Sequence, residues 1–189
     1  MPGAQAEGGD APGAVRELLA AGAAADSKND DGMTPLMLAA DAGRSACAAA
    51  LVDGGAAVDT PALESHMTAL HFAAQAEAGE GIVRALAAAG AAVEARTAES
   101  DQTALHLAAE AGRPGTVRAL LEVHASPAAT DALGATALHY AANAGSAAAV
   151  TALLEAGAAV GAATADDRLT ALHFAAQVLM RDPPRGDVK

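Results

Sequence analysis

The chain is short of aromatic residues, with no Trp, one Tyr and two Phe among 189 residues. Domains of this length usually build their cores around such side chains, because aromatic rings bury the most apolar area per residue. Alanine dominates instead, and alanine allows neighbouring helices to approach closely. The composition therefore predicts a thin core spread along the molecule, with no single bulky centre.

Cysteine is equally scarce, since Cys47 is the only one. A single thiol excludes an internal disulfide framework and favours a reducing, intracellular compartment, cytoplasmic or nuclear. No apolar run approaches the roughly 18 consecutive residues that a membrane span needs. The first ten residues have neither the positive start nor the apolar block of a signal peptide. We therefore expect an intracellular protein without membrane insertion.

Positive charge is the third shortage, because 11 Lys and Arg stand against 23 Asp and Glu, giving a net charge of -12. This excess of negative charge repels phosphate backbones and anionic membrane surfaces. Binding to nucleic acid is therefore not expected.

Catalytic motifs are also missing from the sequence. It contains no G-x-S-x-G, no phosphate-binding G-x-x-x-x-G-K-[ST], no C-x-x-C and no H-E-x-x-H. The alanines around Cys47 offer no base that could activate its thiol. We expect neither enzymatic activity nor a cofactor.

The chain does contain a seven-residue sequence motif, called the phrase here, that occurs five times. It reads TPLMLAA from Thr34, TALHFAA from Thr68, TALHLAA from Thr103, TALHYAA from Thr136 and TALHFAA from Thr170. A fixed period of 33 to 35 residues marks a protein of stacked repeats, which bury their apolar faces between neighbours.

The fourth repeat illustrates the local structure that the phrase predicts. Thr136 suits the N-cap of a first helix, and Gly145 suits the left-handed position that ends it. A second helix with an apolar stripe follows and stops at Gly157. The segment between Gly157 and Thr170 is too long for a tight turn and suits a protruding finger.

The phrase, the glycine nine residues after its threonine and the later Leu-Leu-x-x-Gly-Ala together resemble the ankyrin repeat. The resemblance implies an all-α solenoid of stacked helix-turn-helix units with β-hairpin fingers. It also implies a non-enzymatic role in binding other proteins. The alternative is a regulatory ankyrin segment of a larger multidomain enzyme, channel or signalling protein.

The resemblance also implies a layout for the chain. We expect a flexible N-terminus at residues 1–10, a repeat array at 11–180 and a C-terminal tail at 181–189. The array would comprise a half-repeat at 11–33, full repeats starting near residues 34, 68, 103 and 136, and a truncated repeat at 170–180. We expect the chain to be a monomer.

In ankyrin-like arrays the partner-facing residues are the finger tips, the residue before each repeat threonine and those just after each Ala-Ala. Here that surface is mostly acidic, which favours a basic segment of a partner protein. Its acids are Asp30, Asp31, Asp41, Glu64, Glu77, Glu99, Asp101, Glu110, Asp131, Asp166 and Asp167. His66 also lies there, and apolar contacts are expected from Met33, Met67, Leu133 and Leu169. Ordinary solvation of loops and packing between fingers are the alternative explanations for these residues.

Four histidines, at His71, His106, His139 and His173, occupy one position in successive repeats. Stacked helices lie about 8 to 10 Å apart, so these imidazoles cannot share one zinc ion. We expect no metal site. The family resemblance implies that they connect each first helix to the neighbouring finger by hydrogen bonds, except in the first repeat, where Met37 stands.

Two departures from the repeat pattern carry further expectations. The fingers before Thr68, Thr103 and Thr170 are one residue longer than the others and lack the glycine two places before the threonine. This combination suggests a turn that does not need positive φ. The second repeat also carries an extra residue, which we place in the inter-helix turn at residues 76–81.

Overall fold

The computed structural model describes the backbone of residues 12–181 and the side chains of residues 12–177. These residues form ten helices, in the order α1 Pro12–Ala20, α2 Pro35–Asp41, α3 Ser45–Asp53, α4 Ala69–Gln75, α5 Gly79–Ala88, α6 Ala104–Glu110, α7 Pro114–Glu122, α8 Ala137–Asn143, α9 Ala147–Glu155 and α10 Ala171–Arg181. The expected N-terminal segment at 1–10 and the tail after residue 181 lie outside the described residues.

The repeat threonines begin the first helices, as the sequence predicts. Thr34, Thr68, Thr103 and Thr136 all occupy N-cap positions in extended conformation. At Thr34 the side-chain oxygen accepts a hydrogen bond from the N–H of Met37, which satisfies one of the free donors at a helix start. Three of the first helices end at a glycine with positive φ, at Gly43, Gly112 and Gly145.

The helices stack in two layers. The first helices α2, α4, α6, α8 and α10 pack in sequence against one another, and the second helices α1, α3, α5, α7 and α9 form the other layer. Each first helix from α2 to α8 also packs on its own second helix. The core between the layers is aliphatic and rich in alanine, which confirms the expected all-α solenoid with a thin, extended core.

Five segments, called fingers here, connect each second helix to the first helix that follows it. They are finger 1 (23–33), finger 2 (56–67), finger 3 (91–102), finger 4 (125–135) and finger 5 (158–169). Within the described residues they form only two isolated antiparallel bridges, Thr130 with Thr136 and Ala163 with Thr170. The expected hairpins are therefore reduced to one bridge each in fingers 4 and 5, and no bridge is recorded in fingers 1 to 3.

Neighbouring fingers are joined by backbone hydrogen bonds near their tips. The N–H of Ala98 donates to the carbonyl of Ser65 at 2.8 Å, and the N–H of Ala132 donates to that of Ser100 at 3.0 Å. A third bond, 2.9 Å long, joins finger 5 to the carbonyl of Leu133. Fingers 2 to 5 therefore form one continuous edge.

The expectation of a turn without positive φ in the longer fingers is wrong. His66, Asp101 and Arg168 have φ of 54°, 55° and 55°, close to the 74° of Gly32 and the 75° of Gly134 in the shorter fingers. Each of these residues directly precedes the one whose carbonyl closes the finger, as in the bond from Ala62 N–H to Met67 O. The chain must turn there whatever the finger length, so the left-handed conformation is kept without glycine.

The extra residue of the second repeat lies in a helix, and not in the inter-helix turn. Three residues separate α4 from α5, as in the other repeats, but α5 has ten residues where α3, α7 and α9 have nine. A Cβ on Gly79 would lie 1.8 Å from the carbonyl oxygen of Ala73, so the first turn of α5 runs against the backbone of α4. Glycine permits this close approach.

Two leucines of the helices are substantially exposed. Leu38 is 46% exposed and Leu154 is 40% exposed. Leu38 lies at the start of the array beside Val15, where the described residues provide no preceding first helix to cover it. Its equivalent in the third repeat, Leu107, is only 5% exposed because neighbours enclose it on both sides.

Candidate functional site

The repeated histidines are structural groups, as the resemblance implied. In the second repeat the N–H of Thr68 lies 3.1 Å from Nδ1 of His71, and Nε2 of the same ring lies 3.0 Å from the carbonyl oxygen of Ala95. A carbonyl only accepts hydrogen bonds, so Nε2 carries the proton and Nδ1 accepts. The imidazole thus joins the start of its own helix to the next finger.

The third and fourth repeats use the same arrangement. His106 contacts the carbonyl oxygens of Ala129 and Ala135 at 3.1 and 3.2 Å, and His139 contacts that of Leu169 at 3.1 Å. His173 accepts from the N–H of Thr170, but its side chain is exposed at the end of the described array. Burial lowers the pKa of His71 and of His106, because the charged imidazolium loses its hydration.

Three acids outside the expected surface join successive repeats. Oδ1 of Asp26 accepts from the N–H of Ala57, and Oδ1 of Asp59 accepts from that of Ala92, both at 2.9 Å. Glu94 makes the matching bond to finger 4 at 2.8 Å. These carboxylates hold the bases of adjacent fingers together, so they serve the scaffold.

The expected surface contains a hollow between fingers 1 and 2. Four of the expected residues line it, together with Ala62, Leu63, Ser65 and the ring of Phe72 from α4; the four are Asp30, Asp31, Met33 and Glu64. Its volume is about 350 Å³. Acidic groups therefore surround an apolar floor of Leu63 and Phe72, two residues that lie outside the expected partner-facing positions.

A second hollow adjoins the first at Ser65 and lies between fingers 2 and 3. Three of the expected residues, Met67, Glu99 and Glu110, line it beside Leu107 and several polar side chains. Neither hollow has a lysine or arginine in its lining. Across residues 12–177, no cation lies within ion-pair distance of Asp30, Glu64 or Glu99.

Asp101 differs from these acids because it is paired. Nη1 of Arg96 lies 2.8 Å from Oδ2 of Asp101 and 2.8 Å from its carbonyl oxygen. The same nitrogen also donates to the carbonyl of Thr130 on finger 4. Arg96 thus joins two fingers and neutralises one of the expected acids, a role with no signal in the repeat pattern.

Asp131 is enclosed by its own finger and is only 6% exposed. Its Oδ1 accepts from the N–H groups of Leu133 and Ala135 at 2.9 and 2.8 Å, and Oδ2 accepts from the hydroxyl of Tyr140 at 2.5 Å. Burial and this hydrogen bond raise the pKa of Tyr140. The Tyr140 ring also packs edge-on against His106. Asp131 therefore stabilises finger 4.

The other expected residues line neither of the two hollows. Asp41 is exposed at the end of α2, and Glu77 lies 3.7 Å from Arg113 in an exposed pair. Leu133 is 62% exposed on the tip of finger 4. His66, Asp166 and Asp167 are exposed, and Leu169 is half-buried.

Among the described residues, His, Cys, Asp and Glu form no group that could hold a metal ion. No helix between residues 12 and 181 is both long and apolar enough to cross a membrane.

Stacked helix pairs, joined through histidines and edged by hydrogen-bonded fingers, define a helical-repeat solenoid. The family model for ankyrin repeats matches three times, over residues 4–97, 76–164 and 105–180, and the chain belongs to this family. Ankyrin repeats are generic protein–protein interaction modules, and the family is typically non-enzymatic. No curated protein matches the sequence significantly.

Proposed function

We propose that this chain is a non-enzymatic interaction module that binds a basic segment of a partner protein along fingers 1 to 3. The observation that supports this is the pair of adjoining hollows, which carry acids and apolar groups but no lysine or arginine. A segment that presents Lys or Arg beside an aliphatic residue would match both features.

The acidic side chains of this surface are available to form ion pairs with a partner. Asp30, Glu64 and Glu99 are exposed and have no cation within ion-pair distance in the described part of the chain. An exposed ion pair contributes about 0.2–1 kcal/mol, so three such pairs would strengthen binding by roughly 0.6–3 kcal/mol. Charge of one sign would also speed the encounter with a basic partner, and salt would weaken this effect.

The apolar floor of the first hollow should favour partners that carry an apolar side chain. Phe72 is half-buried and Leu63 is 62% exposed, so both still offer surface to a ligand. Covering such a side chain contributes about 25 cal/mol per Å² of apolar area removed from water. A basic segment without any apolar residue should therefore bind more weakly than one that fills the hollow.

Selection from a random peptide library tests this proposal, at low and at physiological salt. Peptides enriched by the wild-type chain should be rich in Lys or Arg, and their affinity should fall as salt rises. The triple variant Asp30→Asn, Asp31→Asn, Glu64→Gln should bind them roughly threefold to a hundredfold more weakly.

The matched control removes three exposed acids from the layer of second helices. Asp53→Asn, Glu122→Gln and Glu155→Gln change the net charge equally but lie away from both hollows. Equal weakening by the two triple variants would show that only net charge matters and would contradict the proposed site. Enrichment of neutral or acidic peptides would contradict a basic partner.

A further inference from the structure

The two ends of the array expose leucines that are buried in every complete repeat. Residues 12–19 read PGAVRELL and match PGTVRALL at 114–121, which places Leu18 of α1 at the position of Leu120 in α7. Leu18 is 62% exposed. The equivalents in the other second helices are exposed by no more than 5%, namely Leu51, Leu86, Leu120 and Leu153.

The C-terminal end shows the complementary case. Leu172 of α10 follows the repeat threonine by two residues and is 78% exposed. Its equivalents in the other first helices are exposed by no more than 3%, namely Leu36, Leu70, Leu105 and Leu138. In the complete repeats these leucines belong to the same core cluster as those of the second helices. Within residues 12–181, Leu172 thus has no second helix to cover it, just as Leu18 has no first helix.

Each end also carries an apolar groove where the missing helix would lie. At the C-terminal end the groove runs between α8, α9 and α10 and is lined by Leu138, Val150 and Leu172 among smaller side chains. At the N-terminal end it runs between α1, α2 and α3, and Val15 and Leu38 contribute to its lining. The first groove fits a second helix, and the other groove fits a first helix.

The segments outside the described residues have little to fill these grooves with. Residues 1–11 contain one large apolar side chain, Met1, and residues 182–189 contain one, Val188. Each helix that fills an equivalent groove inside the array brings at least two large apolar side chains, such as Leu70 and Phe72 of α4 or Val117 and Leu120 of α7. A second copy of the chain, in contrast, offers an unpaired first helix at one end and an unpaired second helix at the other.

We propose that two copies join head to tail, so that α10 of one copy and α1 of the next form one shared repeat. Leu172 and Leu18 would then be the two buried leucines of that repeat, and the stack would continue from one chain into the other. Such an interface uses different surfaces on the two copies, so it generates a ring or an open filament and not a symmetric dimer. A head-to-tail assembly would replace the monomer that we expected from the sequence.

Glu17 limits how tightly this interface can close. It occupies the position of Ala50, Ala119 and Ala152, which are exposed by no more than 5%. In the assembly its carboxylate would lie against α9 of the other copy and would lose hydration, which opposes association. Glu17→Ala should therefore strengthen the association.

Sedimentation velocity of the full chain over a wide range of concentration tests the proposal. The average mass of the wild type should rise with concentration. Leu18→Glu and Leu172→Glu both alter exposed side chains, so both variants should fold, and each should weaken association about tenfold or more. Leu133→Glu, at a position as exposed as Leu18 but on finger 4, should associate like the wild type.

Mixing the two end variants gives the sharpest result. Leu18→Glu keeps an intact C-terminal end, and Leu172→Glu keeps an intact N-terminal end. Because these two ends are complementary, the mixture should form a heterodimer, and no further copy should add to it. A wild type that stays monomeric at every concentration would overturn the proposal. A mixture that does not associate, or single variants that associate as well as the wild type, would overturn it too.

Discussion

Replacing His106 by leucine should be among the most destabilising changes that leave the helix pattern intact. The ring is fully buried, and it accepts from the N–H of Thr103 at 3.1 Å while it donates toward the carbonyls of Ala129 and Ala135. Leucine fills much of the same space but provides none of these hydrogen bonds.

The size of the loss follows from which groups are left without a partner. The carbonyl of Ala135 keeps its bond from the N–H of Asp131, whereas the N–H of Thr103 and the carbonyl of Ala129 lose theirs. An unsatisfied buried polar group costs about 1–3 kcal/mol, so the two groups that His106→Leu leaves unpaired should reduce the free energy of unfolding by about 2–6 kcal/mol. With a urea m-value of about 2 kcal/mol/M, the midpoint falls by roughly 1–3 M.

Urea unfolding followed by circular dichroism measures this loss, and His173→Leu is the matched control. His173 accepts a hydrogen bond from Thr170 of its own repeat, but its side chain is exposed and makes no hydrogen bond to a finger among the described residues. Its replacement should cost less than about 1 kcal/mol. His106→Met should fall between the two, because Sδ of Met37 shows that a thioether can accept the threonine N–H. Equal midpoints for the wild type and His106→Leu would refute this reasoning.

Two further predictions follow from the same structure. Since burial lowers the pKa of His71 and His106, the unfolded chain binds more protons, and the melting temperature should fall as the pH drops below 6.5. His106→Met should show a shallower pH dependence, and an equal slope would contradict this assignment. His124 has φ of 68° at a helix end, so His124→Gly should stabilise the chain by about 0.5–1 kcal/mol, and Gly90→His should destabilise it similarly in thermal unfolding.

The fold could be predicted from the sequence because its determinants are local and repeated. Counting from the threonine of each phrase located the N-caps, the helix-ending glycines and the histidine bonds. The same counting failed where a residue's environment depends on its neighbours. Leu38 follows the core pattern but is exposed, because covering it requires a preceding first helix. Left-handed backbone at His66 depends on how its finger closes, which residue preferences do not reveal.

The site could be predicted only as a list of positions. Counting from each threonine places both Asp101 and Glu99 among the partner-facing acids. Arg96 forms an ion pair with Asp101 but not with Glu99. Phe72 occupies a position expected to belong to the scaffold, and its ring still lines a hollow. Pairing and exposure depend on side chains from the adjacent repeat, and no single repeat of the sequence contains that information.

Finger length explains which side chain holds the turn at the tip of each finger. In the short fingers 1 and 4, the side chain five residues before the threonine accepts hydrogen bonds from two backbone N–H groups; the accepting oxygen is Oδ1 of Asn29 in finger 1 and Oδ1 of Asp131 in finger 4. The long fingers 3 and 5 use Thr97 and Thr164 to accept from the residue that closes the finger. An acid at the opening position of a short finger therefore stabilises the turn.

The finger acids that remain unpaired for a partner lie between the opening and closing residues of their fingers. Finger 4 has none, because its tip is Ala132, Leu133 and Gly134. The negative charge of the finger edge is thus interrupted after finger 3, and Asp166 and Asp167 on finger 5 are separated from the hollows. A basic segment bound along fingers 1 to 3 would meet an uncharged, leucine-bearing tip next, so the residue that follows its cationic stretch should be apolar.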